Sequence, residues 1–462
     1  MKRIITIALC ALLLVPVSAQ EVSKEVKKEA AKSHLKQHFK PYGFIRNYFT
    51  YDSRESISGT GDLYNYQPKD QNLNAYGDDL NATSTFRFLS LTTRVGLNIV
   101  DYKWRNTEFS GKIEADFYAG LSTKTNQTHA VSGTAQFRLR EAYVTLGWDS
   151  LKMGKDFARV DLTIGQTWHP MAADLCDAIA LNSGAPFGPF SRTPQVKMDA
   201  RLGKYFTLTG ALIWQMQYNS TGPDGQSAEY IAYSKTPEAY LGLNFHTSDF
   251  LLRVGADVLS ICPRHKGSVL AKDGITSVDV KVKDRLTTAS PFLYLQYKKG
   301  EFSIKAKTIF AEAGEHMNLN GGYGVKKINA DGSWEYTPTR NSSSWISLVY
   351  GGKVGKQEDK HPQKLQGILF AGYIHNFGTK EALATKADGS IFGYFTPRPS
   401  NMNQMYRLSP TILWTIGKFQ LGCEYEITSV QYGKKLGTNG LAKADLHWVT
   451  NHRVQLMTKY NF

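Results

Sequence analysis

The C-terminal fifteen residues alternate between apolar and polar side chains. The apolar members fall at even positions: Trp448, Val454, Leu456, Tyr460 and Phe462. The polar members fall at odd positions: Asn451, Arg453, Gln455, Lys459 and Asn461. A period of two predicts a β-strand with one apolar and one polar face. An aromatic residue at the end of such a strand is typical of bacterial outer-membrane β-barrels.

The same alternation recurs in sixteen segments from residue 41 onward. They lie near 42–53, 84–100, 107–121, 136–149, 158–168, 194–201, 205–218, 236–247, 249–261, 287–298, 301–314, 344–354, 364–377, 404–416, 419–433 and 445–462. Tight joints alternate with long polar connectors at 54–83, 169–193, 219–235, 262–286, 315–343 and 378–403. Short turns on one side and long loops on the other predict an all-β fold, a 16-stranded antiparallel transmembrane β-barrel.

The N-terminal residues predict export. Residues 1–19 combine Lys2 and Arg3 with an apolar run and small residues before Gln20, which is the pattern of a secretory signal peptide. Residues 20–40 predict a short periplasmic helical arm, and residues 41–462 the barrel. We therefore expect localisation in the outer membrane of a Gram-negative type of cell.

Charged residues occupy the face opposite the apolar one, because a Lys or Arg facing lipid near the bilayer midplane costs about 2–4 kcal/mol. Predicted inward bases and acids are Arg94, Lys112, Lys197, Arg201, Lys305, Lys307, Arg407, Arg453, Glu114 and Asp116. Arg138 and Arg140 share parity with apolar residues, so they lie above the apolar band or follow a bulge.

The inward charges predict a wet channel for solutes. Acids concentrate on the third to fifth strands and bases on the later ones, which predicts a transverse field unless the charges only solvate the wall. The formal net charge of +15 and the surplus of inward bases favour anions. Export excludes nucleic acid and leaves anionic solutes and lipopolysaccharide as partners.

The connector at 170–194 is too apolar for an exposed loop. It predicts an inward-folded constriction loop with a short helix at Ala172–Leu181, and Arg192 projecting into the eyelet. The alternative is a loop that contacts another subunit of a trimer. Cys176 and Cys262 fall in predicted loops and could form a disulfide.

Motifs for catalysis are sparse. No nucleophile elbow occurs, and the glycines near Gly321 lack the strand-to-helix setting of a phosphate loop. His34 and His38 are four residues apart, but a solvated helix face explains them. We expect no enzyme activity, no metal and no cofactor.

The chain resembles the DcaP-like family of trimeric outer-membrane porins. The resemblance lies in an ordered series of segments: YGFIRNYFTYD at 42–52, LTTRVGL at 91–97, GKIEADFYAG at 111–120, FRLREAYVTLGW at 137–148, LTIGQTWHP at 162–170 and SRTPQVKMD at 191–199. It implies a homotrimer that passes small anionic solutes, dicarboxylates among them. It also implies a channel role for Arg46, Arg94, Glu114, Asp116, Arg138, Arg140, Gln166, Arg192 and Lys197.

The sequence differs from the family pattern in two respects, and two alternative functions are considered. The usual coiled coil is reduced to the short arm, and Lys197 stands where Arg is common, so a preference for dicarboxylates is less secure because Lys lacks the planar guanidinium fork. A transporter of hydrophobic compounds with fourteen strands conflicts with the charged inner face. A surface adhesin that uses the long loops stays an alternative.

Overall fold

A computed structural model describes residues 38–59, 64–90, 92–118, 136–153, 156–179, 184–355 and 361–462. The predicted signal peptide and nearly all of the predicted arm lie outside these residues. Among the described residues, no helix has the length and hydropathy needed to cross a membrane.

Sixteen antiparallel strands, numbered here β1–β16, form one sheet. Their bounds are β1 Phe39–Asp52, β2 in two pieces Thr85–Leu89 and Arg94–Trp104, β3 Thr107–Tyr118, β4 Gln136–Met153, β5 Asp156–Trp168, β6 Arg192–Leu202, β7 Phe206–Ile213, β8 Glu238–His246, β9 Phe250–Ile261, β10 Leu286–Lys299, β11 Phe302–Glu312, β12 Trp334–Tyr350, β13 Gln363–Thr379, β14 Met402–Ile416, β15 Phe419–Leu436 and β16 Ala442–Asn461. Each strand pairs with its neighbours in sequence order.

The sheet closes because β1 pairs with both β2 and β16. Phe44 lies opposite Asn461 and Asp52 opposite Arg453 in the register with β16. At the seam Phe462 donates its backbone N–H to the carbonyl of Gly43 at 3.1 Å. The ring of Phe462 occupies the space that a Cβ at position 43 would need. The predicted 16-stranded antiparallel barrel is therefore confirmed.

Connectors at the two ends of the barrel differ in length. At one end the turns are short, with Gly300 and Gly417 at φ +58° and +54°, a conformation that favours glycine. At the other end the loops form hairpins and small helices at Ser56–Gly59 with Tyr64–Pro68, Thr221–Gly222 with Gly225–Gln226, Glu229–Ser234, Lys266–Leu270 with Ser277–Lys281, Gly314–Met317, Tyr323–Ile328 and Tyr394–Phe395.

The outer face is apolar, as the alternation predicts. Exposed aliphatic side chains such as Ile113, Val144 and Leu241 form a band around the barrel. Aromatic residues border the band near the short turns at Tyr102, Trp104, Tyr205, Phe206, Phe302, Trp414, Phe419 and Tyr460. Others border it near the long loops at Phe86, Phe88, Phe117, Phe137, Phe310, Phe377, Tyr406 and Trp448. Two aromatic girdles around an apolar band are the outer surface of a membrane barrel.

Three strands depart from simple alternation. In β4 the register with β3 shifts between Glu114 and Ala115, and this bulge turns both Arg138 and Arg140 inward. The break in β2 reverses the parity: Leu89 has the odd parity of the outward-facing Val95, yet it packs against the interior. Strand β12 begins at Trp334 rather than near residue 344, because its first residues pair with Tyr323–Ile328 beyond the band.

A Lys on the outer face should cost stability according to depth. We expect Ile113→Lys, in the middle of β3, to lower the free energy of unfolding by about 2–4 kcal/mol, and Tyr102→Lys, in the girdle, by about 0–1 kcal/mol. Denaturant titration of protein folded into phosphatidylcholine vesicles measures both values. Equal costs at the two positions would contradict this assignment of the membrane band.

Candidate permeation site

The loop after β5 runs into the barrel. The side chains of Met171, Ala172, Phe187 and Phe190 are at most 4% exposed, although no strand of the sheet contains them. Met171 and Phe187 belong to one apolar cluster with Trp345 of β12 and wall residues of neighbouring strands. The inward-folded constriction loop is confirmed, and for residues 169–179 and 184–191 this burial excludes the alternative of a loop between subunits.

Two lysines of β11 hold the loop from one side. The Nζ of Lys307 donates to the carbonyls of Met171 at 2.8 Å and Asp174 at 2.7 Å. The Nζ of Lys305 forms an ion pair with Asp177 at 2.8 Å. Lys307 is 2% exposed. The prediction that Lys307 acts as a free channel charge is wrong, because two loop carbonyls bind its buried ammonium group. Lys305 is 20% exposed, and its charge is paired with Asp177.

Residues of β1 and β15 hold the loop from another side. The backbone N–H of Ile179 donates to Glu424 at 3.0 Å, and Tyr48 donates its hydroxyl to the carbonyl of Ile179 at 3.0 Å. The loop thus spans from its root at β5 across the interior to β15. The predicted helix at Ala172–Leu181 is wrong: residues 173–179 are not helical, only Pro170–Ala172 forms a 3₁₀ turn, and Leu181 lies outside the described residues.

A second insertion, which the sequence patterns did not indicate, comes from the loop after β1. Asn65 donates to Glu426 at 3.1 Å and Gln67 donates to the hydroxyl of Tyr432 at 3.0 Å, so the hairpin strand Tyr64–Pro68 lies against β15. The run Tyr-Asn-Tyr-Gln is a weak signal, because it alternates aromatic and amide side chains in a connector that is otherwise polar.

Arg407 of β14 joins the two inserted loops. It donates to the carbonyls of Asn65, Tyr66 and Ala185 and forms an ion pair with Glu426 at 3.4 Å. The predicted role of Arg407 as a channel charge is corrected, since its side chain is 1% exposed. Arg453 is likewise buried at 2% and lies 3.5 Å from Asp52.

The wall formed by β1, β2 and β16 carries a group of bases around the ring of Phe44. The charged groups of Lys459, Arg46 and Arg94 lie 4.5, 4.8 and 5.1 Å from the ring centroid. Arg46 stands directly opposite Lys459 in the pairing of β1 with β16. Like charges directly opposite are destabilising unless something compensates them.

The acids of β3 are already neutralised by this wall. Glu114 accepts from Arg140 at 2.8 Å and lies 3.2 Å from Arg94. Asp116 binds Arg138 through both guanidinium nitrogens at 3.0 Å and Arg140 at 2.6 Å. The prediction of a transverse electric field between acids on one side of the barrel and bases on the other is therefore corrected. Neighbouring strands lie about 5 Å apart, so acids and bases on adjacent strands pair within one wall.

The group of charged residues around Phe44, called here the basic wall, contains more bases than acids. Its bases are Arg46, Arg94, Lys112, Arg138, Arg140 and Lys459, and its acids are Glu114, Asp116 and Glu141. Six bases against three acids leave three positive charges. Arg94, Lys112 and Arg138 are 21–24% exposed. Arg140 is almost buried and ties two acids together.

The other predicted channel residues are distributed differently. Lys197 pairs with Asp199 at 2.8 Å on the inner face of β6, and Arg201 is exposed next to a short turn. Arg192 is 2% exposed and stacks over Trp168 at 4.9 Å, so it does not project into an eyelet. Gln166 shares the outer side of β5 with Ile164 and donates to the carbonyls of Leu139 and Arg140, which the bulge frees. Its assignment to the channel is wrong.

The loop cysteines are free thiols. Cys176 is buried in the inserted loop and Cys262 follows β9. Burial raises the pKa of the Cys176 thiol to about 12. The suggested disulfide between the two is absent in this structure.

Solved structures with the same architecture include a bacterial channel. Over 92% of this chain and 97% of the other, the structure is similar to the outer-membrane channel DcaP of Acinetobacter baumannii, with a TM-score of 0.61 and 17% identity. The chain has the fold of an outer-membrane channel. The predicted resemblance is thus confirmed for the fold, and the apolar band and girdles place the barrel in the outer membrane.

More distant similarities exist to other barrels. They include OmpF of Salmonella typhi in complex with daunomycin (TM-score 0.46, 10% identity, covering 92% of this chain and 97% of that one) and an anion-selective porin from Comamonas acidovorans (TM-score 0.45, 10% identity, covering 92% and 99%). No protein-family model and no curated protein sequence matches the chain.

Removing one anchor should loosen the constriction. Lys307→Met deprives the buried carbonyls of Met171 and Asp174 of their donor, at about 1–3 kcal/mol for each unsatisfied group. We expect larger and noisier single-channel conductance in planar bilayers. The matched control is Lys299→Met, at an exposed position near a short turn. Unchanged conductance in Lys307→Met would show that the loop is held without this lysine.

Proposed function

We propose that this protein is a porin through which small hydrophilic, anionic solutes of the dicarboxylate type diffuse passively across the outer membrane. The observation that carries the proposal is the cross-strand pair of Arg46 and Lys459. In the described part of the chain neither base forms an ion pair with a carboxylate. The guanidinium group of Arg46 donates to the hydroxyl of Thr92, at 2.9 Å and 3.2 Å. A permeating anion would supply the missing counter-charge.

The chemistry of the wall favours carboxylates over other anions. Guanidinium groups bind a carboxylate through two parallel hydrogen bonds. Among the arginines of the wall, Arg94 and Arg138 are engaged by Glu114 and Asp116, whereas the guanidinium of Arg46 donates to the hydroxyl of Thr92 and can turn to a solute carboxylate. Several bases within one wall suit a solute with two carboxylates better than a solute with one. Lys197 adds a point charge and is already paired with Asp199.

The mechanism needs no energy coupling. The inserted loops narrow the interior, and the basic wall raises the local concentration of anions and lowers that of cations. Solutes then move down their own gradient. A hydrophobic-compound transporter with fourteen strands does not fit, because sixteen strands close this barrel and its inner wall is charged.

The proposal includes a homotrimer embedded in lipid and lipopolysaccharide. The outer face of β10–β13 combines small and apolar side chains around Ala306, Ser344 and Ala371, next to a shallow groove of about 390 Å³. Small residues let two barrels approach closely. Native mass spectrometry of detergent-solubilised protein tests this part: a mass of one chain would contradict it.

Neutralising the cross-strand pair should change selectivity. We expect the double variant Arg46→Gln with Lys459→Gln to lower the permeability ratio of chloride to potassium, because the wall loses two of its three excess charges. Reversal potentials across planar bilayers under a KCl gradient measure the ratio. The control removes two exposed charges in the short turns, in Lys204→Gln with Lys418→Gln. Cation selectivity of the unaltered protein, or an unchanged ratio in the double variant, would refute the proposal.

Anion selectivity should also weaken with salt. The screening length falls from about 10 Å at 0.1 M to about 3 Å at 1 M ionic strength. Exposed parts of the basic wall then act on permeating ions over a shorter range. We expect the chloride-to-potassium ratio to approach the ratio of free mobilities at 1 M KCl, measured at a fixed tenfold gradient. A ratio that does not change with salt would indicate selection by size.

A further inference from the structure

Four ionisable side chains meet at the root of the constriction loop, away from the basic wall. They are His169, the first residue of the loop, Glu238 of β8, Asp257 of β9 and His316 in the loop after β11. Each is at most 3% exposed. Ligand atoms of His169, Glu238 and Asp257 all lie within 4.8 Å of one another.

His316 presents an imidazole nitrogen to both acids without a hydrogen bond. Its Nδ1 donates to the carbonyl of Ala313 at 3.2 Å, so its Nε2 is the atom that faces the cluster. This Nε2 lies 3.6 Å from Oε1 of Glu238 and 3.7 Å from Oδ2 of Asp257 and has no hydrogen-bond partner. A donor to a backbone carbonyl on one side and a free nitrogen on the other is the usual arrangement of a metal-binding His.

The spacing suits ligands around a small cation better than it suits hydrogen bonds. Tetrahedral zinc with bonds of about 2.0–2.2 Å sets its ligand atoms about 3.3–3.6 Å apart. The observed 3.6 and 3.7 Å are slightly wider, so a small closure would complete the shell. Oε2 of Glu238 and Oδ1 of Asp257 are also buried and form no hydrogen bond, although Nε2 of His169 lies 3.7 Å from Oδ1 of Asp257.

His169 differs from His316 because both of its ring nitrogens form hydrogen bonds. Its Nδ1 accepts the backbone N–H of Met171 at 3.1 Å, which leaves the proton of the neutral ring on Nε2. That Nε2 donates to Oε1 of Glu238 at 2.7 Å. The hydrogen bond fixes the carboxylate and uses one lone pair of Oε1; the second lone pair of this oxygen, which lies 3.6 Å from Nε2 of His316, stays available.

We propose that Glu238, Asp257 and His316 form a binding site for a divalent transition metal of the zinc type, with His169 orienting Glu238 and a water as the fourth ligand. Two buried carboxylates side by side need positive charge to offset their lost hydration, and a divalent cation supplies it. The metal would join β8 and β9 to the loop after β11, and through His169 to the root of the constriction loop.

Protons are the competing source of that charge. Burial disfavours the charged ring, but the adjacent carboxylates of Asp257 and Glu238 outweigh it and raise the pKa of His169 to about 9. With both histidines protonated the cluster would be a metal-free, charge-balanced ion-pair network. The two alternatives differ in whether the purified protein holds metal in stoichiometric amount.

The experiment measures metal binding on the folded, detergent-solubilised protein. After removal of metal with dipicolinate, the protein is titrated with Zn²⁺ and Co²⁺, and bound metal is counted by mass spectrometry after gel filtration. We expect about one metal per chain, a visible cobalt spectrum typical of low coordination number, and a higher unfolding temperature with Zn²⁺. The last two readouts use the unaltered protein and do not depend on any variant folding.

Variants then assign the ligands. We expect His316→Gln and Glu238→Gln to lose the bound metal, and His169→Gln to weaken binding about 10–100-fold, as loss of an outer hydrogen bond does. The matched control is His447→Gln, since His447 forms a 2.7 Å pair with the single carboxylate of Asp70. No stoichiometric metal in the unaltered protein, or equal loss in the control, would overturn the proposal in favour of the proton network.

Discussion

Closure of the sheet is the constraint on which the rest of this structure depends. Hydrocarbon offers no hydrogen bonds, so every backbone group of a spanning strand must find a partner within the protein. β1 meets this demand by pairing with β16 on one side and β2 on the other, and Phe462 seals the seam against Gly43. Closure in turn fixes which side chains face lipid and which face the interior.

A closed interior of this width creates a second problem, because it must be filled or hydrated. The protein fills part of it with two inserted loops whose carbonyls and carboxylates are bound by buried bases of the wall. Lys307 and Arg407 donate hydrogen bonds to carbonyls of the inserted loops, so their charges are not available to solutes. A base inside a barrel therefore acts on permeating ions only where no loop reaches it.

The distribution of charge follows from the spacing of neighbouring strands. Acids and bases on adjacent strands lie close enough to pair, so Glu114 and Asp116 are neutralised by arginines of β2 and β4. What remains is the excess around Phe44, where Arg46 and Lys459 oppose one another. Holding two like charges across one strand pair costs stability, and that cost is understandable if an anion passes there.

The sequence by itself determined the number of strands and most of their faces, and it favoured the inward course of the apolar loop over a contact between subunits. These features depend on local alternation and on apolar content, and both can be read along the chain. It also offered the bulge in β4 as one of two explanations, since Arg138 and Arg140 could not face lipid. The prediction of a short helix at Ala172–Leu181 was wrong, because backbone groups within residues 173–179 form hydrogen bonds with side chains of the barrel wall instead of helical ones.

Only the tertiary structure decided which charges are free. Lys307 and Arg46 both have inward parity, yet a loop binds the first, whereas the guanidinium group of the second donates to the Thr92 hydroxyl. Gln166 was misplaced because the carbonyls it binds are freed by a bulge on another strand. Likewise Glu238, Asp257 and His316 are distant in sequence and meet only where two strands and a loop converge. These side-chain contacts join segments that are distant in sequence, and the apolar–polar alternation within a single strand does not indicate them.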